Sequence, residues 1–361
     1  MSRAAWSRRQ RWKNDAIFGA ASVAVRLGLA LPRSWLPWIG SALGAAAHAL
    51  LGSARRATHA HLRIAGGPVV GRASPADVFR ALGRNLTDTV ALLDPTEAAG
   101  RTLDVTDASR RVLDDALGEG RGVVYVTCHL GPWERMAALL AALGYPITAV
   151  ARESYDERFH ELVYQRLRTS RNIEAIYRGH ATAPFAIVRA LKRGRVVGFL
   201  VDMPGSAAWG TDGERRFVPV EWLGAPSRIA RGPIRIALRT RSPIVIGTPA
   251  PASTTAPLCA PAKDPSREKP LPPTARGPAD RVTTPRLSVA IARLAADDLP
   301  ADESGERILG QRIADALSDR IRALPAHWPW MHPSFRPFGA LPAERSARHG
   351  PLVQWPRGDF H

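Results

Sequence analysis

The chain has 361 residues, 45% of them hydrophobic, which is enough apolar material for one large domain or two smaller ones. Its 50 Lys and Arg against 32 Asp and Glu give a formal net charge of +18, with Lys13, Lys192, Lys263 and Lys269 the only lysines, and this points either to a polyanionic partner or to arginines scattered over a solvated surface. Two cysteines, Cys128 and Cys259, exclude a disulfide-stapled scaffold in a chain this long.

Residues 1–14 carry Arg3, Arg8, Arg9, Arg11 and Lys13 interleaved with Trp6 and Trp12. That composition suits a lipid headgroup zone, and equally a nucleic-acid arm. The N-terminus has no clean signal peptide: Arg26 interrupts the apolar stretch and no small-residue cleavage site follows. Apolar stretches at 16–31 and 35–51 come next, with Pro32 and Pro37 breaking the join. Each falls short of the roughly 20 clean apolar residues of a membrane span. The expectation is a helical hairpin lying in or dipping into a membrane interface, with Trp35 and Trp38 at headgroup level. One weak transmembrane helix, or an amphipathic helix packed on the core, are the other readings. A short polar helix is expected at 55–65. Ser74-Pro75 is an N-cap followed by proline in the first helical turn, and it opens a helix to about residue 93 with Val78, Phe79, Leu82, Leu86 and Val90 at helical spacing.

From residue 105 strands and helices alternate. Strands are predicted at 123–127, 147–151, 174–176, 196–201 and 243–247, and helices at 108–117, 132–143, 156–170, 183–192 and 227–238. This alternation predicts an α/β fold with a mostly parallel central sheet flanked by helices. Prolines crowd 249–285, read as a surface excursion; a strand at 287–294 and a terminal helix at 305–324 follow. The organisation expected is a membrane-interface segment (1–52), an α/β domain (53–338) and a loose tail (339–361).

The informative stretch is Thr127-Cys128-His129-Leu130-Gly131-Pro132-Trp133-Glu134. It puts His129 just past a strand and Glu134 in the first turn of the next helix, at the carboxyl edge where open α/β sheets collect ligands. An imidazole near neutral pKa can take a hydroxyl proton, and a carboxylate on its other nitrogen fixes the tautomer. The same residues also read as a structural histidine and a dipole-complementing glutamate. A Cys128–His129 nucleophilic pair is disfavoured, because neighbours on extended chain point to opposite faces. No zinc spacing is present, so no metal is expected.

His129-x4-Glu134, within His-Leu-Gly-Pro-Trp-Glu, resembles the His-x4-Asp/Glu motif of lysophospholipid-type acyltransferases, and it looks closest to the bacterial lipid A late acyltransferase branch. Further blocks agree in order: Val150-Ala151-Arg152, Arg168 to Ile176, Gly198-Phe199-Leu200-Val201-Asp202, Phe217 to Pro226, and Pro325-Ala326-His327-Trp328-Pro329-Trp330-Met331-His332. The resemblance covers about residues 10–338. It departs at Met203, where the family usually has Gln, and in the long Pro-rich excursion. It implies that His129 is the base and Glu134 its orienter, with Arg152 and Asp202 on the same rim for substrate binding. It implies acyl transfer to a lipid A precursor or related glycolipid hydroxyl on the cytoplasmic face of an inner membrane. Acyl carrier protein or coenzyme A thioester would be a co-substrate, with no cofactor, no covalent acyl-enzyme and a monomeric chain. Lysophospholipid, ornithine-type and mannosylated acceptors stay open. A basic nucleic-acid-binding protein is the reading least compatible with the apolar hairpin, and no recognisable nucleic-acid module is present.

Overall fold

The computed structural model describes residues 6–66, 73–154, 156–203, 213–252 and 287–332. Most of the Pro-rich excursion and the whole of the expected tail lie outside the described residues.

Among the described residues four helices lead the chain: α1 (Arg8–Ala30), α2 (Leu36–Leu50), α3 (Gly52–Ala65) and α4 (Pro75–Leu92). Ser7 and Gln10 form a capping box for α1, and Ser74 and Asp77 form one for α4. The two apolar stretches are separate helices docked on the domain. Along α1, Asp15 pairs with Arg158 at 2.7 Å and Phe18 meets Phe159 edge to face. α2 crosses α4 almost backbone to backbone at Gly40, Gly44 and Gly83. A Cβ on Gly83 would stand 2.0 Å from the Gly40 carbonyl oxygen, and one on Gly44 would stand 2.2 Å from that of Phe79. Thr87 seals the crossing by donating to the Leu36 carbonyl at 2.9 Å. Among the described residues no helix is long and apolar enough to cross a membrane. What α1 and α2 do expose is large and apolar: Trp12 (82%), Ile17, Val23 and Leu27 on the first, Trp38 (67%), Leu43 and Leu50 (81%) on the second, with Trp35 beside them.

The α/β expectation is met. Among the described residues a seven-stranded sheet runs β1 (Leu103–Val105), β9 (Leu287–Arg293), β8 (Ile244–Pro251), β2 (Val123–Thr127), β5 (Val196–Leu200), β3 (Ile147–Arg152), β4 (Glu174–Arg178). Every pairing is parallel except β8 with β9. Between the strands lie α5 (Asp107–Gly118), α6 (Trp133–Ala142), α8 (Ala183–Lys192) and α9 (Arg231–Thr240), and α10 (Glu303–Ala323) follows β9. α7 consists of an α turn (Glu157–Phe159), a π-helical stretch (His160–Gln165) and a further α turn (Arg166–Ser170). Alternate residues of β2 feed two cores on opposite faces: Val124 and Val126 join one, Val123 and Tyr125 the other. Helices therefore cover both sides of the sheet.

Two expectations are corrected. The helix predicted from 227 starts at Arg231, because Phe217–Trp222 (β6) and Ala225–Ala230 (β7) form an antiparallel hairpin. Its turn is Leu223-Gly224, both at positive φ, the signature of a two-residue primed turn. The excursion also begins later than residue 249. Pro249 and Pro251 belong to β8, which past Ile246 pairs only with β9, so its other side is open and admits proline.

Candidate active site

β2 ends at Thr127, and the chain turns sharply within five residues. Leu130 N–H returns to the Cys128 carbonyl at 2.7 Å, and Trp133 N–H returns to that of Gly131 at 3.0 Å. Pro132, at φ −83 and ψ 64, sits in the inverse γ-turn well. Gly131 is at φ +58, where a side chain is strained, and its N–H is held by the His327 carbonyl at 2.9 Å. This turn lifts His129 onto the carboxyl edge of the sheet.

Register then selects its partner. Thr127 of β2 lies level with Leu200 of β5, and Val201 N–H continues the ladder to Thr127. Two residues further along each chain stand His129 and Asp202. Asp202 Oδ1 accepts from His129 Nδ1 at 2.8 Å, and Oδ2 accepts from the His129 backbone N–H at 2.9 Å and from the Trp328 indole at 2.8 Å. The carboxylate is fully buried while the imidazole keeps 25% of its surface exposed. Burial alone would raise the Asp202 pKa. The His129 charge, its two N–H donors and the Trp328 indole outweigh that and hold the carboxyl below the usual range. An ionised Asp202 can only accept, so the neutral imidazole tautomer that matches this contact has its proton on Nδ1 and its lone pair on Nε2. The Trp133 ring packs edge-on against the imidazole, with centroids 5.0 Å apart.

The expected His129–Glu134 contact is replaced by this one. Glu134 opens α6, which has no side-chain cap, and its carboxylate is gripped by both ends of the Arg168 guanidinium at 3.0 and 3.3 Å. Its neighbour Arg135 is fully buried and donates to Asp88, Glu97 and the Ala98 carbonyl, which locks α6 against α4. Asp202, expected as a substrate-binding residue, has its oxygens committed inside the protein. Arg152 does reach the rim: it ends β3 and is exposed, about 10 Å from β2 at ~4.8 Å per strand. It stands level with Arg178 of β4, which the sequence reading missed.

Cys128 is buried in the core. Burial first, and then the Asp202 charge, push its thiol well above the ordinary range, which leaves no thiolate for nucleophilic attack. Among the described residues no three His, Cys, Asp or Glu side chains converge as a metal cage requires. Trp328 and Arg168 lay inside blocks already singled out, but their partners are 126 and 34 residues away. His332 also lies near the pair: burial chiefly lowers its pKa, with Asp202 raising it and His129 lowering it.

A buried aspartate bonded to a partly exposed histidine, on a rim with two arginines, is equipped to deprotonate a hydroxyl beside an anionic group. A comparison with characterised proteins finds no match. The family model described as bacterial lipid A biosynthesis acyltransferase matches residues 15–250, a span that runs from α1 through β8 and holds His129, Glu134, Arg152 and Asp202. The geometry and that match, over more than half of the chain, agree: this chain belongs to the bacterial lipid A biosynthesis acyltransferase family and is an acyltransferase enzyme.

Proposed function

We propose that the enzyme moves a fatty acyl chain from an acyl thioester to a hydroxyl of a lipid A precursor or related glycolipid, with His129 as general base and Asp202 as its orienting partner. The observation that carries this reading is the bond from His129 Nδ1 to the buried, triply engaged Asp202 carboxylate. The acceptor oxygen attacks the thioester carbonyl carbon while Nε2 takes its proton, and a C–O bond forms. The tetrahedral intermediate then collapses, the C–S bond breaks, and the leaving sulfur recovers the proton from Nε2. Throughout, Asp202 stabilises the imidazolium without itself taking the proton. Arg152 and Arg178, side by side at the strand ends, hold an anionic group of the acceptor.

The donor is carried by acyl carrier protein or coenzyme A, both of which a chain of net charge +18 attracts. The exposed tryptophans and leucines of α1 and α2, together with Arg8, Arg9, Arg11 and Lys13, seat the enzyme on the cytoplasmic face of an inner membrane.

The test is transfer of a labelled acyl group from acyl carrier protein to a lipid A precursor, with His129→Ala as the comparison. Loss of the base should cost ~10²–10⁴-fold. Unchanged turnover in that variant would end the mechanism.

A further inference from the structure

Acyl transfer builds negative charge on the carbonyl oxygen of the thioester, and a site that accelerates it needs donors aimed at that oxygen. The turn that carries His129 has none to spare. The His129 N–H goes to Asp202, the Leu130 N–H to the Cys128 carbonyl at 2.7 Å, the Gly131 N–H to the His327 carbonyl at 2.9 Å and the Trp133 N–H to the Gly131 carbonyl at 3.0 Å, while Pro132 has no N–H. The charge therefore has to be met from outside this turn. Arg152 and Arg178 end strands two and three places away along the sheet, where they suit the anionic group of the acceptor.

His332 reaches the site by another route. Trp328 anchors its segment: the indole donates to Asp202 at 2.8 Å, and the ring meets Trp330 edge to face with centroids 4.8 Å apart. Trp330 is fixed in turn, its indole donating to the Pro325 carbonyl at 2.7 Å and its carbonyl oxygen lying 2.5 Å from His61 Nδ1. A tight turn follows, closed by the His332 N–H on the Pro329 carbonyl at 3.0 Å. It sets a half-buried imidazole within electrostatic reach of both Asp202 and His129. This is a second imidazole beside the pair, and proton abstraction by His129 gives it no task.

Its protonation state decides which task it can take. Burial chiefly lowers its pKa, with Asp202 raising it and His129 lowering it, so the ring is held toward its neutral form. The imidazolium that forms when His129 takes the hydroxyl proton pushes the same way, and His332 does not compete for that proton. A neutral imidazole is also too weak an acid to protonate a leaving thiolate, which His129 serves. What it does well is donate one N–H to a carbonyl oxygen that is gaining charge. We infer that His332 donates an imidazole N–H to the thioester carbonyl oxygen as the acceptor hydroxyl attacks. The bond tightens as the carbonyl becomes an oxyanion and relaxes when the C–S bond breaks and the carbonyl re-forms; no proton leaves His332. The inference rests on the acyl transfer proposed above and adds the group that stabilises its intermediate.

The test needs a readout that packing alone does not move. An acyl-pantetheine analogue with a methylene in place of the thioester sulfur cannot transfer its chain, and a carbon-13 label at its ketone carbonyl reports a hydrogen bond as a downfield shift. It is offered to the full chain both on coenzyme A and on acyl carrier protein. With wild type the resonance should move downfield; His332→Ala should lose most of that shift, and His332→Gln, which keeps an N–H donor, should retain it. In turnover of a labelled acyl thioester, His332→Ala should lose ~10²–10³ in kcat with the donor KM unchanged, and His332→Gln should recover part of the loss. Wild type that binds neither form of the analogue, or binds without a shift, overturns the proposal. So does an unchanged shift in folded His332→Ala, which would move the oxyanion donor to the first amides of α6. His129→Ala keeps the base assignment separate: it should lose turnover and keep the carbonyl shift. Unchanged turnover in His129→Ala, with a shift that still depends on His332, would end the base assignment and keep this one.

Discussion

Asp202→Asn separates orientation from charge at the His129 site. The two carboxylate oxygens face different demands. Oδ2 receives the His129 backbone N–H and the Trp328 indole N–H, and both of these can only donate. Oδ1 receives only the imidazole Nδ1, whose role can reverse. An asparagine in this buried position therefore has one satisfied placement, with its amide oxygen at the Oδ2 site. Its NH₂ then faces Nδ1 and makes that nitrogen the acceptor, which moves the imidazole proton to Nε2, the nitrogen that must accept the hydroxyl proton. The fold is preserved and the base is in the wrong tautomer. By comparison with the same change in other Asp–His pairs, turnover should fall by about 10⁴-fold. Raising the pH should not restore it, because the fault lies in tautomer and not in protonation state. The assay is thioester-to-lipid transfer under saturating donor, with thermal unfolding to confirm that the variant is folded. A folded Asp202→Asn enzyme within about threefold of wild type would refute the assignment of Asp202 as the orienting group.

Three further changes test the framework. Glu134→Gln leaves the Arg168 guanidinium, only 10% exposed, without its partner and should cost about 3 kcal/mol of stability in urea unfolding; Glu134→Gln/Arg168→Gln should recover much of that, and a double variant that is stable but still inactive would show that Glu134 takes part in the chemistry directly. Gly83→Ala would raise helix propensity elsewhere, but here it sets a methyl 2.0 Å from the Gly40 carbonyl oxygen, so a fall in melting temperature worth about 1–3 kcal/mol is expected and a rise would contradict the close α2–α4 crossing. Burial first, and then the Arg84 charge, lower the His327 pKa to about 4 against about 6.5 in an unfolded chain, so the folded form favours the neutral ring. Its contribution is whole above pH ~6.5 and is lost as pH falls toward 4, on the order of 3 kcal/mol in all, so His327→Gln should flatten the urea midpoint over that range, and parallel curves for the two proteins would refute it.

The parts legible in the sequence are those where local signals agree. Val123-Val124-Tyr125-Val126-Thr127 is β-branched or aromatic throughout and bounded by Gly122, so its strand follows from the residues alone. The helix at Ala183–Lys192 is recovered to the residue, because a proline in its first turn and Gly194 after its end mark both limits. The β6–β7 hairpin was hidden because Pro219, Pro226 and Arg228 dilute its strand character, while its turn places Leu223 at φ 53, a conformation that sequence rules reserve for Gly or Asn. At the site, the position of His129 was readable from the end of a strand. Its partner was not, because Glu134 is close in sequence and Asp202 is close only through the β2–β5 register. Pairing of strands 73 residues apart is a tertiary fact with no local signal.

The location of Trp328 bears on how the site is held. The family match ends at residue 250, yet two interactions that fix the His129 turn come from beyond it: the His327 carbonyl accepting from Gly131, and the Trp328 indole donating to Asp202. Both groups lie at or just past the short 3₁₀ turn Pro325–His327, which follows α10, and α10 is anchored in the core through Leu309, Ile313, Leu317 and Ile321. A carboxylate with one donor can rotate; one with three donors on two oxygens, fully buried, cannot do so without leaving a donor unpaired. The folded chain therefore holds the imidazole in one orientation, which in the mechanism proposed above spares the pair the reorganisation it would undergo in water. The Pro-x-x-Trp-x-Trp-x-His block thus fixes Asp202, while the turn around Gly131 and Pro132 brings His129 to it.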